Sequence, residues 1–209
     1  MAAGDSSVGI VNKALLLLGA EPITSFTDGS AAGAAASTIY NEIKLTTLGM
    51  YPWSFTISKG TLARSTTTPN NEWTYEYIMP NDMLTGVPRA VRSSSIAGAG
   101  INKGWEIGQS TDGNTVLFTE ETEVHIDYQK SVGEGSMPTY FVQLLAYQMA
   151  WHLAEVITDQ TTKMEHWKAV AIGTPGEGMR GGFFRQAANI YSAGQTPQVI
   201  SDYMLVDVR

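Results

Sequence analysis

Residues 31–55 read AAGAAASTIYNEIKLTTLGMYPWSF, and where that stretch changes character decides the fold. Ala32, Ala36, Ile39, Ile43 and Met50 fall at helical spacing, so the pattern predicts one helix over residues 31–50, about 30 Å long if every residue joins it. Its first half is mostly alanine, which favours helix and lets another backbone pack close. Pro52 disfavours α geometry at Tyr51 and fixes its own φ, so the helix must stop before it. Tyr51, Pro52 and Trp53 therefore read as a structural corner, with two rings packing over the junction where a first strand leaves.

The rhythm differs on the two sides of this corner. Upstream, Asp5, Ser6 or Ser7 can cap a helix over about residues 8–18, with Ile10, Val11, Ala14, Leu15 and Leu18 on one face and Gly19 as its stop. Downstream, residues 53–130 break into short runs rich in Thr, Val, Tyr, Trp and Ile, punctuated by Pro, Gly and Asn, which is strand patterning. WTYEYIMP alternates, placing Trp73, Tyr75 and Tyr77 on one face and Thr74, Glu76 and Ile78 on the other. A hairpin is expected around Asp112-Gly113, another strand in TEVHIDYQ, and a loop over residues 92–104.

After Pro138 the pattern returns to helix. Phe141, Leu144, Leu145, Met149, Leu153, Val156 and Ile157 form a continuous stripe, which predicts the central helix. A further helix over residues 162–172 follows, then the glycine-rich GTPGEGMRGG, then helix again in FFRQAANIYS. The fold class is thus α+β: a helical bundle layer from the N- and C-terminal helices (1–52 and 136–193), an inserted antiparallel β-rich region (53–135) and an extended C-terminal tail (194–209).

The chain has 209 residues, 43% of them hydrophobic, enough to bury a real core. Its 13 basic and 20 acidic residues give a net charge of -7, the opposite of the basic footprint of a phosphate-backbone binder. It contains no cysteine, which removes thiol chemistry and disulfides and suits folding in a reducing cytosol. The first apolar run is broken by Asn12 and Lys13 and lacks a basic segment before it, so it reads as a retained helix and a poor signal peptide. No run approaches the roughly 18 to 20 apolar residues needed to span a bilayer, and no membrane is expected as a partner.

Several clusters invite a chemical reading. Glu121, Glu123, His125 and Asp127 alternate and are expected on one strand face, as a metal or acid–base set or, more simply, as a wetted face opposite Val124, Ile126 and Tyr128. Gly176, Gly178 and Gly181 match G-x-G-x-x-G, but a helix precedes them where a dinucleotide fingerprint needs a strand, so a tightly turning connection is expected. His152 with Glu155, and His166 beside Glu165, lack a third ligand and read as capped or surface histidines. No catalytic, cofactor or metal residue is assigned, and no enzyme activity is expected.

Taken in order, Val8 to Phe55, SKGTLAR, WTYEYIMPNDML, WEI, HIDYQKSV and MPTYFVQLLAYQMAWHLAEVIT resemble the tail tubular protein A family, the head-tail adaptors (gatekeepers) of short-tailed bacteriophages. The first block carries most of the resemblance: a short helix ending in Leu-Gly-Ala-Glu-Pro-Ile, a loop, a long helix, then Pro-Trp-x-Phe. Residues 173–182 depart from the more continuous helix usual there. The resemblance implies a virion protein assembled in the host cytoplasm: a ring of twelve copies between the portal protein and the tail nozzle protein, with double-stranded DNA passing through its channel without specific binding. It also implies that the apolar tail residues Val199, Ile200, Tyr203, Met204 and Leu205 dock on the portal, and that the loop over residues 93–103 meets the neighbouring tail component. Two other readings stay open: a metal-dependent hydrolase using Glu121, Glu123, His125 and Asp127, and a carbohydrate-binding β module displaying Trp73, Tyr75 and Tyr77, whose rings the alternation instead assigns to the core.

Overall fold

A computed structural model describes residues 6–95 and 104–194. It is an α+β fold in which helices from both ends of the chain share one hydrophobic core. The first helix, α1 (Ser7–Leu18), begins where Ser6 Oγ accepts from Gly9 N–H at 3.0 Å. It ends at Gly19, whose left-handed φ of 75° lets the Gly19 and Ala20 amides close on Leu16 and Leu15. Its buried face is Ile10, Val11, Ala14, Leu15 and Leu18, the stripe the spacing predicts. Asn12 then clamps the following loop, its side chain donating to Ile23 O and accepting from Ile23 N–H at 2.9 and 2.8 Å.

Ser30 caps α2 (Ala31–Gly49), which buries Gly33, Ala36, Tyr40, Ile43, Thr47 and Leu48. Ala32, Ile39 and Met50 pack only partly, so the inward stripe is displaced from the one read off the sequence. The partner that defines this inward face is α3 (Thr139–Thr158), which runs through the middle of the bundle against α1, α2, α4 (Thr161–Ile172) and α5 (Gly182–Ala193). Phe141, Leu144, Leu145, Met149 and Leu153 of its stripe are buried and Ile157 packs partly against the same core, but Val156 is 66% exposed at the margin of the stripe.

Between α2 and α3 the chain forms two small antiparallel sheets. The strands are β1 (Ile57–Thr61), β2 (Ala63–Arg64), β3 (Tyr75–Ile78), β4 (Ala90–Arg92), β5 (Trp105–Gln109), β6 (Thr115–Thr119) and β7 (His125–Gln129). One sheet has the order β1-β7-β4 and the other β2-β3-β6-β5. The chain crosses from one to the other at Leu62, whose amide bonds Val124 O at 2.9 Å. Leu62, Tyr77, Met79, Val91, Leu117, Val124, Ile126 and Tyr128 fill the space between them as a small sandwich. Gly113, at φ 79°, makes the β5–β6 turn, as the Asp-Gly pair predicts.

Buried Gln129 joins the two layers. Its amide nitrogen faces Leu48 O, Tyr51 O and Thr56 Oγ1 at 3.3, 2.8 and 3.1 Å, so one β7 side chain satisfies the backbone where α2 ends and β1 begins. A second tie is Glu134, which accepts from Lys44 Nζ at 2.9 Å and from the Tyr40 hydroxyl at 3.1 Å.

Candidate functional site

At the corner, Trp53 N–H closes a tight turn on Tyr51 O at 2.9 Å around Pro52. The Trp53 ring is fully buried, with Tyr51, Phe55, Tyr140, Phe141, Phe184 and Tyr191 around it at centroid distances of 4.9 to 6.3 Å. Its indole N–H reaches Thr47 O at 3.4 Å. The arrangement is apolar and filled, and its chemistry is packing: rings from the corner, α3 and α5 meet edge to face.

The acidic set is not gathered as the alternation predicts. Only His125 and Asp127 lie on β7, while Glu121 and Glu123 precede it. His125 Nε2 contacts Glu123 Oε1 at 2.8 Å and its Nδ1 contacts Thr61 Oγ1 at 2.9 Å, so both ring nitrogens are engaged. Asp127 pairs with Arg92 at 2.7 Å and Lys59 at 3.8 Å across the ladder. Val124, Ile126 and Tyr128 are buried on the other side. Among the described residues, no group of three His, Asp or Glu side chains is arranged to hold a metal ion.

The glycine loop turns tightly, for a reason the sequence did not carry. Glu177 accepts from Thr174 N–H at 2.9 Å, and the bonds from the Thr174 backbone and hydroxyl hold its pKa below the ordinary value. A methyl group on Gly182, which sits at φ 53°, would lie 2.5 Å from Val170 O, and one on Gly181 would meet the Glu177 carboxylate. The loop is therefore pressed on the end of α4 and filled by an anion, which leaves no cradle for phosphate.

His152 lies against Trp151, tilted by 31° with centroids 3.5 Å apart, at the lip of a groove of about 210 Å³ between α2 and α3. Burial of the ring, aided by the positive charge of Lys168, lowers its pKa to about 4. Glu155, Glu165 and His166 are exposed on the bundle surface.

Trp73, Tyr75 and Tyr77 do not form one buried row. Tyr77 is in the sandwich core and Tyr75 packs at its edge with Arg64 3.8 Å above its ring, but Trp73 lies before β3 and is half-exposed. Its indole donates to Glu106 Oε2 at 3.1 Å. Two features escaped the sequence reading. Glu76, which the alternation places only on the face opposite Tyr77, is 3% exposed. Leu16, Val156 and Ile190 stand out of the helical layer at 77%, 66% and 49% exposure.

Val199, Ile200, Tyr203, Met204 and Leu205 lie outside the described residues, as does most of the 93–103 loop. No helix among the described residues is long and apolar enough to cross a membrane. The chain matches no protein-family model and no curated protein.

Proposed function

We propose that this chain is a structural head-tail adaptor of a short-tailed phage, a ring-forming protein that joins the portal to the tail nozzle and continues the DNA channel. The ordered blocks from Val8 to Thr158 that resemble that adaptor family carry this reading. The outer surface of the bundle supports it. α1, α3 and α5 expose Leu16, Val156 and Ile190, and apolar side chains left on helix surfaces are suited to burial against neighbouring copies. The net charge of -7 suits a lumen that DNA slides through, because phosphates neutralised by basic side chains would be held. In this reading the tail residues Val199, Ile200, Tyr203, Met204 and Leu205 dock on the portal, and the protein is not an enzyme.

The test is cryo-electron microscopy of the chain mixed with the portal protein of the same virus. A ring of twelve copies seated on the portal is expected, and serine at the five tail positions should abolish seating while the monomer stays folded. A chain that remains monomeric beside the portal overturns the adaptor reading. A ring whose lumen is basic overturns the channel argument alone.

A further inference from the structure

On the outer face of the β2-β3-β6-β5 sheet, the register sets Glu76, Phe118 and Glu106 side by side across three strands. This face is not bare. The chain between β2 and β3 folds over it, held at one end by Ser65 N–H on Glu76 O at 2.9 Å and at the other by Thr74 on the Glu120 carboxylate. Beneath that cover lie two adjoining clefts of about 240 and 220 Å³, both lined by Glu76, Ser110 and Thr67.

Glu76 is the unusual group here. It is 3% exposed, yet among the described residues its carboxylate has one hydrogen-bond partner, Ser110 Oγ at 3.1 Å on Oε1. A buried carboxylate has about four lone-pair sites and is costly to leave so sparsely bonded. The second oxygen, Oε2, is an acceptor with no donor from the described protein. The fold holds it in place: the β5–β6 turn fixes Ser110 through its amide on Asn114 O, and the Phe118 ring lies close over Gly108, where a methyl group would meet it at 2.7 Å.

We infer that the cleft over Glu76 is a binding site for a neutral polyhydroxylated ligand, a sugar ring whose hydroxyl donates to Glu76 Oε2. The rest of the 240 Å³ cleft has the matching chemistry, while Arg64 and Asp112 line the adjoining one. Thr67 and Thr111 offer hydroxyls, and Asn70, Asn71 and Gln109 offer carboxamides, all groups that bond a hydroxyl as donor or acceptor. Asn71 already accepts from Trp73 N–H at 3.1 Å through Oδ1, which leaves its NH2 to donate. Phe118 supplies an apolar wall, and half-exposed Trp73 lies at the β5 side of the same face, fixed by its bond to Glu106. An anionic ligand would meet the Glu76 carboxylate head on. A hard cation asks for several oxygen ligands around one point, and no set of three acidic or imidazole side chains gathers among the described residues. The site is on the opposite face of the sheet from Tyr77 and does not depend on the adaptor reading.

The experiment is a titration of the ¹⁵N-labelled full chain with D-glucose, N-acetyl-D-glucosamine and L-rhamnose separately, and with calcium chloride as the counter-probe. At least one sugar should give saturable shifts in the amides of Thr67, Asn71 and Ser110. Glu76→Gln should weaken that binding about tenfold or more, the scale of losing one charge-assisted bond, with an unchanged far-ultraviolet spectrum. Thr67→Val, which leaves Glu76 in place, should weaken it as well and serves if the glutamine variant does not fold. Absence of shifts with all three sugars, sugar binding indifferent to both variants, or calcium moving the same amides would each overturn the inference. Portal seating is read separately and is expected to be the same in both variants.

Discussion

In the helical layer the largest buried side chain, Trp53, meets rings carried by the corner, by α3 and by α5, so one residue gathers segments from both ends of the chain. In the β sandwich the corresponding residue is Tyr77, which packs among a short set of apolar side chains and spends its hydroxyl on Glu121 O at 2.8 Å. The bundle is held by the breadth of its apolar core. The sandwich has the smaller core and leans on ladder bonds and on polar groups that close its margins, such as Arg92 on Asp127. Breadth tolerates a displaced stripe, as in α2, while a small core leaves more of the stability to the ladder and its polar margins.

The sharpest way to break this contrast is Trp53→Ala. Truncating a fully buried indole should cost about 3 to 5 kcal/mol, read as a fall in the urea midpoint by circular dichroism. A loss under ~1 kcal/mol would show that the ring cluster is not central to the bundle. Leu117→Ala in the sandwich should fall toward the lower end of the ~2 to 5 kcal/mol range for such a truncation, because a small core collapses more readily around the gap. Amide exchange should place the loss in β3 and β6 rather than in α3; equal loosening of α3 would mean that the two layers unfold as one.

Gln129→Leu probes the joint. It removes a donor from the carbonyls of Leu48 and Tyr51, the latter keeping only the Trp53 amide, at a cost of about 1 to 3 kcal/mol. Exchange should quicken at the end of α2 and in β1 before it does in α1. The smallest effect concerns acid. Burial works to raise the Glu134 pKa, but the bond and charge of Lys44, with help from Tyr40, outweigh it and hold the carboxyl below its usual 4.5. Its contribution is complete above about pH 4.5 and is lost as the pH falls through the lowered folded value. Glu134→Gln should remove that part of the acid sensitivity, worth about 1 kcal/mol or less; an unchanged acid limb in the variant would show that other carboxyls carry it.

These contrasts also explain which elements were legible. The α1 stripe and its glycine stop agree with the sequence pattern residue by residue, because a cap and a 3.6-residue period are set within a few positions. The end of α2 before Pro52 and the turn at Gly113 were legible for the same reason. Glu121 and Glu123 were misplaced because alternation does not say where β7 begins; pairing with Thr61 and Arg92 at His125 does. Val156 was misread because helical spacing gives a face but not how far around the helix a partner covers it: Ile157, one residue on, still packs on the core.

Glu76 shows the limit most clearly. Alternation correctly put it on the face opposite Tyr77, and that face would have been wet had the chain between β2 and β3 not folded across it. By itself, then, the sequence determined the α+β class, the principal helices, the corner at Pro52 and the hairpin turn, all products of forces acting over a handful of neighbouring residues. Only the tertiary structure decided that Gln129 closes the α2–β1 junction from 78 residues away and that a carboxylate is buried beside two clefts. Both depend on which distant backbone and side-chain groups displace water, and that choice is made when the layers assemble.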